Sequence, residues 1–217
     1  MSTIIAQRIT DPSPHIIDVC VELFAELMSA NKAIISLCGG DARLVGPLAR
    51  AMLCAGALAG ELYIATDIGD EQPIGYTMWM PPGQELFSTP EQRALGLEAF
   101  MAALPEDGKE YYRTTYTAEF PAFVSSCIGS RGMLDGWWLH MAMVRKDRQR
   151  QGILRALLAP VREKALQNGE TLACSTTTQT NALVYQALGF ALKGERTMPS
   201  PWGEWPLFVF ALDAHAT

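Results

Sequence analysis

The chain has 217 residues, 49% of them hydrophobic and 18% charged, with a formal net charge of −6 and a pI of about 5.1. This composition suits a globular core of one large domain and excludes intrinsic disorder. The acidic balance argues against general nucleic-acid binding, which needs a basic face, and fits a cationic partner such as an amine.

From the N-terminus, Ile4 to Thr10 alternates loosely and predicts a first strand. Ser13 and Pro14 open a helix that runs to about Ala30, with Ile16, Val19, Cys20, Leu23, Phe24 and Leu27 on one face. Cys38-Gly39-Gly40-Asp41 breaks the chain, and Arg43 to Ala59 predicts a second helix. Leu44 to Gly60 is the longest apolar run; it is short and holds Pro47 and Arg50, so no membrane span is expected. Glu61–Asp67 and Ile74–Met80 predict an antiparallel hairpin closed by Pro81-Pro82-Gly83. Thr89 to Leu104 reads as one helix, and Lys109 to Ile128 as another that Pro121 kinks or restarts. Trp137 to Val144 is an apolar strand, and Gly152 to Gly169 a helix, with Pro160 a possible kink. Thr171–Thr176 is a strand, Asn181–Leu188 a short helix, Gly189 to Lys193 a strand, and Leu207–Asp213 the last one. The hairpins rule out a purely parallel sheet.

Five cysteines (Cys20, Cys38, Cys54, Cys127, Cys174) are an odd number without C-x-x-C spacing. Neither a zinc site nor a disulfide framework is expected, and a reducing, cytoplasmic compartment is. Cys20, Cys54 and Cys174 lie in apolar segments and read as small core residues. The first residues lack the basic and apolar regions of a signal peptide. His15 and His215 have no partner spacing and read as surface residues.

The stretch that carries chemistry runs from Trp137 to Leu158. Between its strand and its helix lies Arg145-Lys146-Asp147-Arg148-Gln149-Arg150-Gln151-Gly152, and five basic residues fall between Arg145 and Arg155. A strand that turns through a basic, glycine-containing loop into a helix N-terminus is a candidate anion site, because the first helical amides have no internal partner and the dipole favours negative charge there. A solvated basic turn is the competing reading. Asn181 and Tyr185 are four apart and share a helix face that ends in Gly189-Phe190. His140 sits in mid-strand. Strict alternation places it on the face of Trp138 and Ala142, where a group of ordinary pKa near 6.5 can accept a proton.

Gln149-x-x-Gly152, placed between Met143-Val144 and an amphipathic helix, resembles the Q/R-x-x-G-x-G/A signature of the GNAT acyl-CoA N-acyltransferases, with Leu154 at the final Gly/Ala position. Asn181 to Phe190 resembles that family's second signature in compressed form. The order of elements is also similar over nearly the whole chain. The IGYTMWMPPG stretch and the long helical insert look most like fungal members. The resemblance implies an α/β (α+β) GNAT fold: a mixed sheet of about seven strands flanked by helices, with an enlarged insert at about residues 84–130. It implies acetyl-CoA as co-substrate and no metal. The amides of Arg150, Gln151, Gly152, Ile153, Leu154 and Arg155 would hold the pyrophosphate. The main chain of Ala142, Met143 and Val144 would pair with pantetheine, and Asn181 would touch it. Tyr185 would protonate the leaving thiolate. His140, a position at which similar arylalkylamine acetyltransferases carry His, would be the base, with Glu119 the alternative. Trp138 and Trp202 are candidate acceptor contacts: read from the residues themselves, the Trp202/Trp205 loop forms an apolar wall for the acceptor or only covers the sheet edge. A small-molecule amine is the expected partner and a protein lysine the other candidate, with neither nucleic acid nor membrane involved. A degenerate member that binds coenzyme A or a regulatory ligand without turnover is the rival, and Leu154 is the feature that favours it.

Overall fold

The computed structural model describes residues 4–213, the last by its backbone alone; His215 lies outside the described residues. Strands β1 (Ile4–Ile9), β2 (Glu61–Asp67), β3 (Gly75–Met80), β4 (Trp137–Val144), β5 (Thr171–Thr176), β6 (Ala191–Met198) and β7 (Trp205–Asp213) form one sheet in the order β1-β2-β3-β4-β5-β7-β6. β4 and β5 are parallel; the other neighbouring pairs are antiparallel. The expected mixed α/β architecture of seven strands is therefore present.

Helices cover both faces. α1 (Pro14–Met28) and α3 (Val45–Ala59) lie on the first face, where Phe24, Leu48 and Leu53 pack against Leu62, Met78 and Met141. Ser13 caps α1 through Ile16 N at 3.3 Å, and Pro14 supplies a preset φ at its first turn. By length and composition the stretch Ala42–Ala59 could cross a membrane, but its Leu48, Ala49, Ala51 and Leu53 are buried in this core. On the opposite face α9 (Ile153–Asn168) joins β4 to β5, as a parallel pair requires. Its Ile153, Leu157, Leu158 and Val161 pack on Trp79, Leu139 and Phe210. α10 (Gln179–Ala187) lies on that face too, through Ala182 and Tyr185.

The insert between β3 and β4 is α4 (Pro90–Ala94), α5 (Leu97–Ala103), α6 (Glu106–Tyr111), a π turn over Tyr112–Tyr116, α7 (Thr117–Ile128) and α8 (Gly132–Asp135). The helix expected over 89–104 is broken at Gly96. Its φ of +141° is closed to most side chains, and an added Cβ would meet Ala51 Cα of α3 at 3.2 Å. The helix containing Pro121 is not restarted at the proline. The irregularity is the π turn upstream, and α7 continues through Pro121. α7 returns to the first face and packs Val124 on Trp138, Ala173 and Val209.

Three elements differ from expectation at their ends. α2 (Lys32–Leu37) was not expected; Asn31 Oδ1 caps it, accepting from Ala33 N at 3.0 Å and Ile34 N at 3.2 Å. α10 starts two residues early because Thr178 is its cap, accepting from Asn181 N at 3.2 Å. β6 runs on to Met198; its polar outer positions hide the strand pattern, as befits an edge. Among the cysteines, Cys20 and Cys174 are buried as expected, whereas Cys54 is partly exposed.

The parallel β4–β5 pair is tight where it begins. Gly136 is buried, and a Cβ there would overlap the carbonyl oxygen of Thr171. Gly136→Ala should therefore destabilise the fold by about 1–3 kcal/mol, the range for overpacking a rigid backbone contact. Denaturant unfolding would measure it, and a wild-type midpoint would contradict the close approach.

Candidate active site

β4 and β5 pair only from Trp137–Leu172 to Leu139–Cys174. Beyond that register β5 continues against β7, while β4 continues against β3 as far as Val144. From His140 to Val144, one side of the β4 backbone thus has no neighbouring strand. The divergence starts at a bulge. Met78 pairs with Met141 and Trp79 with Leu139, so His140 is an extra residue on β4. A bulge bends the strand and increases its twist, which carries β4 away from β5.

The bulge also resets the alternation. Trp137 and Leu139, and after the bulge Ala142 and Val144, face α9. Trp138, and after the bulge Met141 and Met143, face the other way. His140 lies with Trp138, the two ring centroids 6.3 Å apart in an edge-to-face contact. The expectation that Trp138 and Ala142 share a face is wrong, because simple alternation counts no extra residue. Trp138 itself is buried, 2% exposed, in the core under α7.

Some imidazole surface remains accessible, but protein atoms crowd His140, and this desolvation lowers its pKa to about 4. The sequence-based value near 6.5 does not hold. The group is neutral at physiological pH and is a far weaker base than expected.

On the opposite face Tyr185 is 7% exposed, its ring against Phe190 at 5.6 Å and Phe210 at 5.9 Å. Burial, and then the neighbouring Cys174, push its phenol well above the ordinary value, so it stays a neutral donor. Asn181, one turn earlier on α10, is exposed. His140 and Tyr185 thus lie on opposite faces of the sheet, one a neutral acceptor and the other a neutral donor.

At the top of β4 the loop is organised by its own side chains. Arg145 pairs with Asp147 at 2.6 Å, Lys146 with Glu26 at 3.6 Å, and Arg148 with Asp67, its Nη2 at 2.8 Å from Oδ1. Gln149 Nε2 donates to Val144 O at 3.2 Å, and Gln151 Nε2 to Asp147 O at 3.1 Å. Counting basic residues therefore overstates the free charge. Among the described residues Arg150 and Arg155 form no ion pair, and both are exposed. Arg150 has φ +63° and Gly152 φ +82°, and the first bond into α9 runs from Ala156 N to Gly152 O at 3.0 Å. The six amides of Arg150 to Arg155 are thus left without backbone acceptors among the described residues. Successive free amides around left-handed residues make an anion-binding concavity. Leu154 is partly buried and packs against the core beneath α9.

Glu119 is not free: it is ion-paired with Arg196 of β6, whose guanidinium lies 5.5 Å over the Phe123 ring. Trp202 stands edge-on to Tyr111 at 5.8 Å and packs over Gly40. Ser200 of the same loop lies 2.6 Å from Ser36 of α2. Sequence reading passed over Arg196, whose partner Glu119 lies far away in sequence. Trp205, read with Trp202 as a wall for the acceptor or a cover for the sheet edge, is 2% exposed in the core, and its indole N–H lies beside the buried Tyr111 phenol. Among the described residues no cluster of His, Cys, Asp or Glu could hold a metal.

No family model and no curated protein matches the chain. Solved structures do. The Corynebacterium glutamicum protein described as histone acetyltransferase HPA2 and related acetyltransferase superimposes with TM-score 0.60 at 16% identity, over 97% of this chain and 96% of that one. The Drosophila melanogaster polyamine N-acetyltransferase, which forms N-acetylagmatine, gives 0.52 at 14% over 97% and 100%. A Salmonella typhimurium acetyltransferase solved with acetyl-CoA gives 0.51 at 12% over 99% and 95%. At such identities the likeness is one of fold, and that fold is the one found in GNAT acetyltransferases.

Two measurements test this geometry. Proline cannot adopt the φ of Gly152, so Gly152→Pro should abolish acetyl-CoA binding in calorimetry while the thermal midpoint shows a folded protein. Undiminished affinity would remove the loop from the binding site. His140 is held neutral in the fold, so between pH 6.5 and about 4 the unfolded chain binds more protons there than the folded one. Stability from this group is complete above 6.5 and is lost as pH falls through that window, by up to about 3 kcal/mol. His140→Gln should flatten the acid side of the stability curve; an unchanged slope would mean the imidazole is well solvated.

Proposed function

We propose that the protein is an acyl-CoA-dependent N-acyltransferase that moves acetyl from acetyl-CoA to a primary amine by direct attack within a ternary complex. The observation that carries this reading is the side of β4 from His140 to Val144 that no strand pairs, beside the six free amides of Arg150 to Arg155. An extended amide-bearing chain can add to β4 as a strand does, with its diphosphate at the loop and its thioester in the parting of β4 and β5. Arg150 and Arg155 supply charge there. The main chain of Ala142, Met143 and Val144 pairs with the chain, an amide at the bulge polarises the carbonyl, and Asn181 sits at the rim. The fold shared with a structure that holds acetyl-CoA supports the choice of co-substrate.

In this scheme the free amine attacks from the His140 face, a C–N bond forms, and the C–S bond breaks. The amine's proton passes by way of His140 to water, since a base of pKa about 4 does not retain it. Tyr185, on the other face, gives its proton to the departing thiolate and recovers one from solvent. Burial keeps the phenol fully protonated at neutral pH, and because so weak an acid does not stay ionised, the phenolate takes its proton back from solvent at once. None of the five cysteines lies in the loop or on α10, so no covalent acyl-enzyme is invoked. Glu119, committed to Arg196, is set aside as the base. The packing of Leu154 against the core supports the catalytic reading over a member that binds coenzyme A or a regulatory ligand without turnover. Kinship with fungal members rests on the IGYTMWMPPG stretch and the insert. A single catalytic domain and a reducing intracellular setting, in keeping with five free thiols, complete the reading.

The decisive variant is Tyr185→Phe, which keeps the ring and its packing but loses the donor. It should lower kcat roughly tenfold to a thousandfold, with acetyl-CoA affinity and thermal midpoint close to wild type. An unaffected kcat with the best amine would make Tyr185 a packing residue and leave the thiolate to water.

A further inference from the structure

α9 and α10 pack on the same face of the sheet, and a cavity of about 90 Å³ lies between α9 and the end of α10. It has no part in the chemistry above. Leu172 of β5 and Leu212 of β7 form its floor, and Leu188 and Phe190, where the chain leaves α10, close one side. These four side chains offer no polar atom. Arg155 and Arg162 stand on the α9 side, about two turns apart on that helix. Both are exposed, and neither forms an ion pair among the described residues.

Two properties of the cavity define what fits it. Where one water needs about 10–15 Å³, its volume holds a body of about six heavy atoms. Water on an apolar floor finds few partners, so an apolar body displaces it at little loss. A guanidinium, for its part, presents paired N–H donors that match a carboxylate in two parallel bonds. Free cations beside a small apolar floor therefore suit one anionic head on a short apolar body. A bare anion leaves the floor unfilled, and a neutral body leaves the cations unpaired. Arg155 also borders the amide loop, whereas Arg162, about two turns further on, serves the cavity alone.

The wall of the cavity is bonded to Tyr185. Leu188 N and Phe190 N both donate to the Tyr185 carbonyl oxygen, at 3.1 and 3.0 Å, and the Phe190 ring meets the phenol ring edge-on at 5.6 Å. A body seated against Leu188 and Phe190 thus fixes the two residues that hold Tyr185 from below.

We propose that this cavity is an effector site for a small apolar carboxylate, and that its occupation raises turnover by holding Tyr185 in its donor position. The site itself stands on the geometry of the cavity; its effect on turnover rests on the transferase reading.

The test uses the full chain with benzoate as probe, and benzyl alcohol (the ring without the charge) and acetate (the charge without the ring) as controls. Calorimetry gives affinity, and the backbone amide resonances of Leu188 and Phe190 report the place. Benzoate should shift both resonances and bind roughly tenfold more tightly than either control. Arg162→Gln should weaken it about tenfold, the worth of one hydrogen bond to a charged group. Ala159→Phe, which turns a ring into the cavity from an exposed helix position, should abolish binding while the thermal midpoint shows a folded protein. Neither variant should alter acetyl-CoA affinity. Under saturating acetyl-CoA and the best amine of a panel, benzoate should raise kcat roughly twofold to fivefold in wild type and leave Ala159→Phe unchanged. Benzoate that binds no better than the controls, or that binds both variants as well as wild type, overturns the site. Displacement of benzoate by coenzyme A overturns it too, because the cavity then belongs to the cofactor. Binding as expected with kcat unmoved overturns the effector role and leaves the transferase reading intact. No thiol release with any amine overturns that reading and the effector role together, while calorimetry still decides the site.

Discussion

The site depends on one constraint: two parallel strands that pair for three residues and then part. Backbone N–H and C=O groups in a protein interior are almost always paired. A central strand that leaves one side unpaired over His140–Val144 therefore needs an external partner or water there. Both ends of the arrangement are fixed by single residues. Gly136 lets β4 and β5 approach closely at their start, and the bulge at His140 turns β4 away immediately after the last paired residue, Leu139. The wedge between the strands connects the two faces of the sheet without breaking the sheet's continuity, since β3 and β7 still hold β4 and β5 on their outer sides.

The bulge explains why the two candidate proton-transfer groups have opposite surroundings. Strict alternation would leave Ala142 and Val144 on Trp138's face. The extra residue instead places them under α9 and groups His140 with Trp138 on the other side. On that side burial lowers an imidazole, and on the α10 side it raises a phenol. Desolvation favours the neutral form of each, so both groups are uncharged at neutral pH.

Much of this was legible in the sequence, and the gaps have physical causes. The apolar run of β4, the glycine before α9 and the spacing of Tyr185 to Gly189-Phe190 are local signals, and they led to the right elements. The bulge is not local. It is a mismatch of register with β3, in which one residue of β4 finds no counterpart, and nothing in WWLHMAMV betrays it. The loop's charge was misjudged for a similar reason. Arg148 is bound by Asp67 and Lys146 by Glu26, carboxylates far away in sequence, so the count of basic residues did not give the count of free ones. Gly96 read as helix because its neighbours favour helix; its φ of +141° reflects the closeness of α3. β6 was cut short because an edge strand with polar outer positions lacks the alternation that marks a half-buried one.

The insert is tied to the same bulge. α7 packs Val124 on Trp138, Ala173 and Val209, and Tyr116, Phe120 and Phe123 pack on Met198, Trp205 and Leu207. Trp138 also stands edge-on to His140, the extra residue of β4. The imidazole is therefore positioned from one side by the register of β3 and from the other by the seat of α7 on the sheet, so a change in the packing of the insert reaches the parting of β4 and β5 through one indole ring.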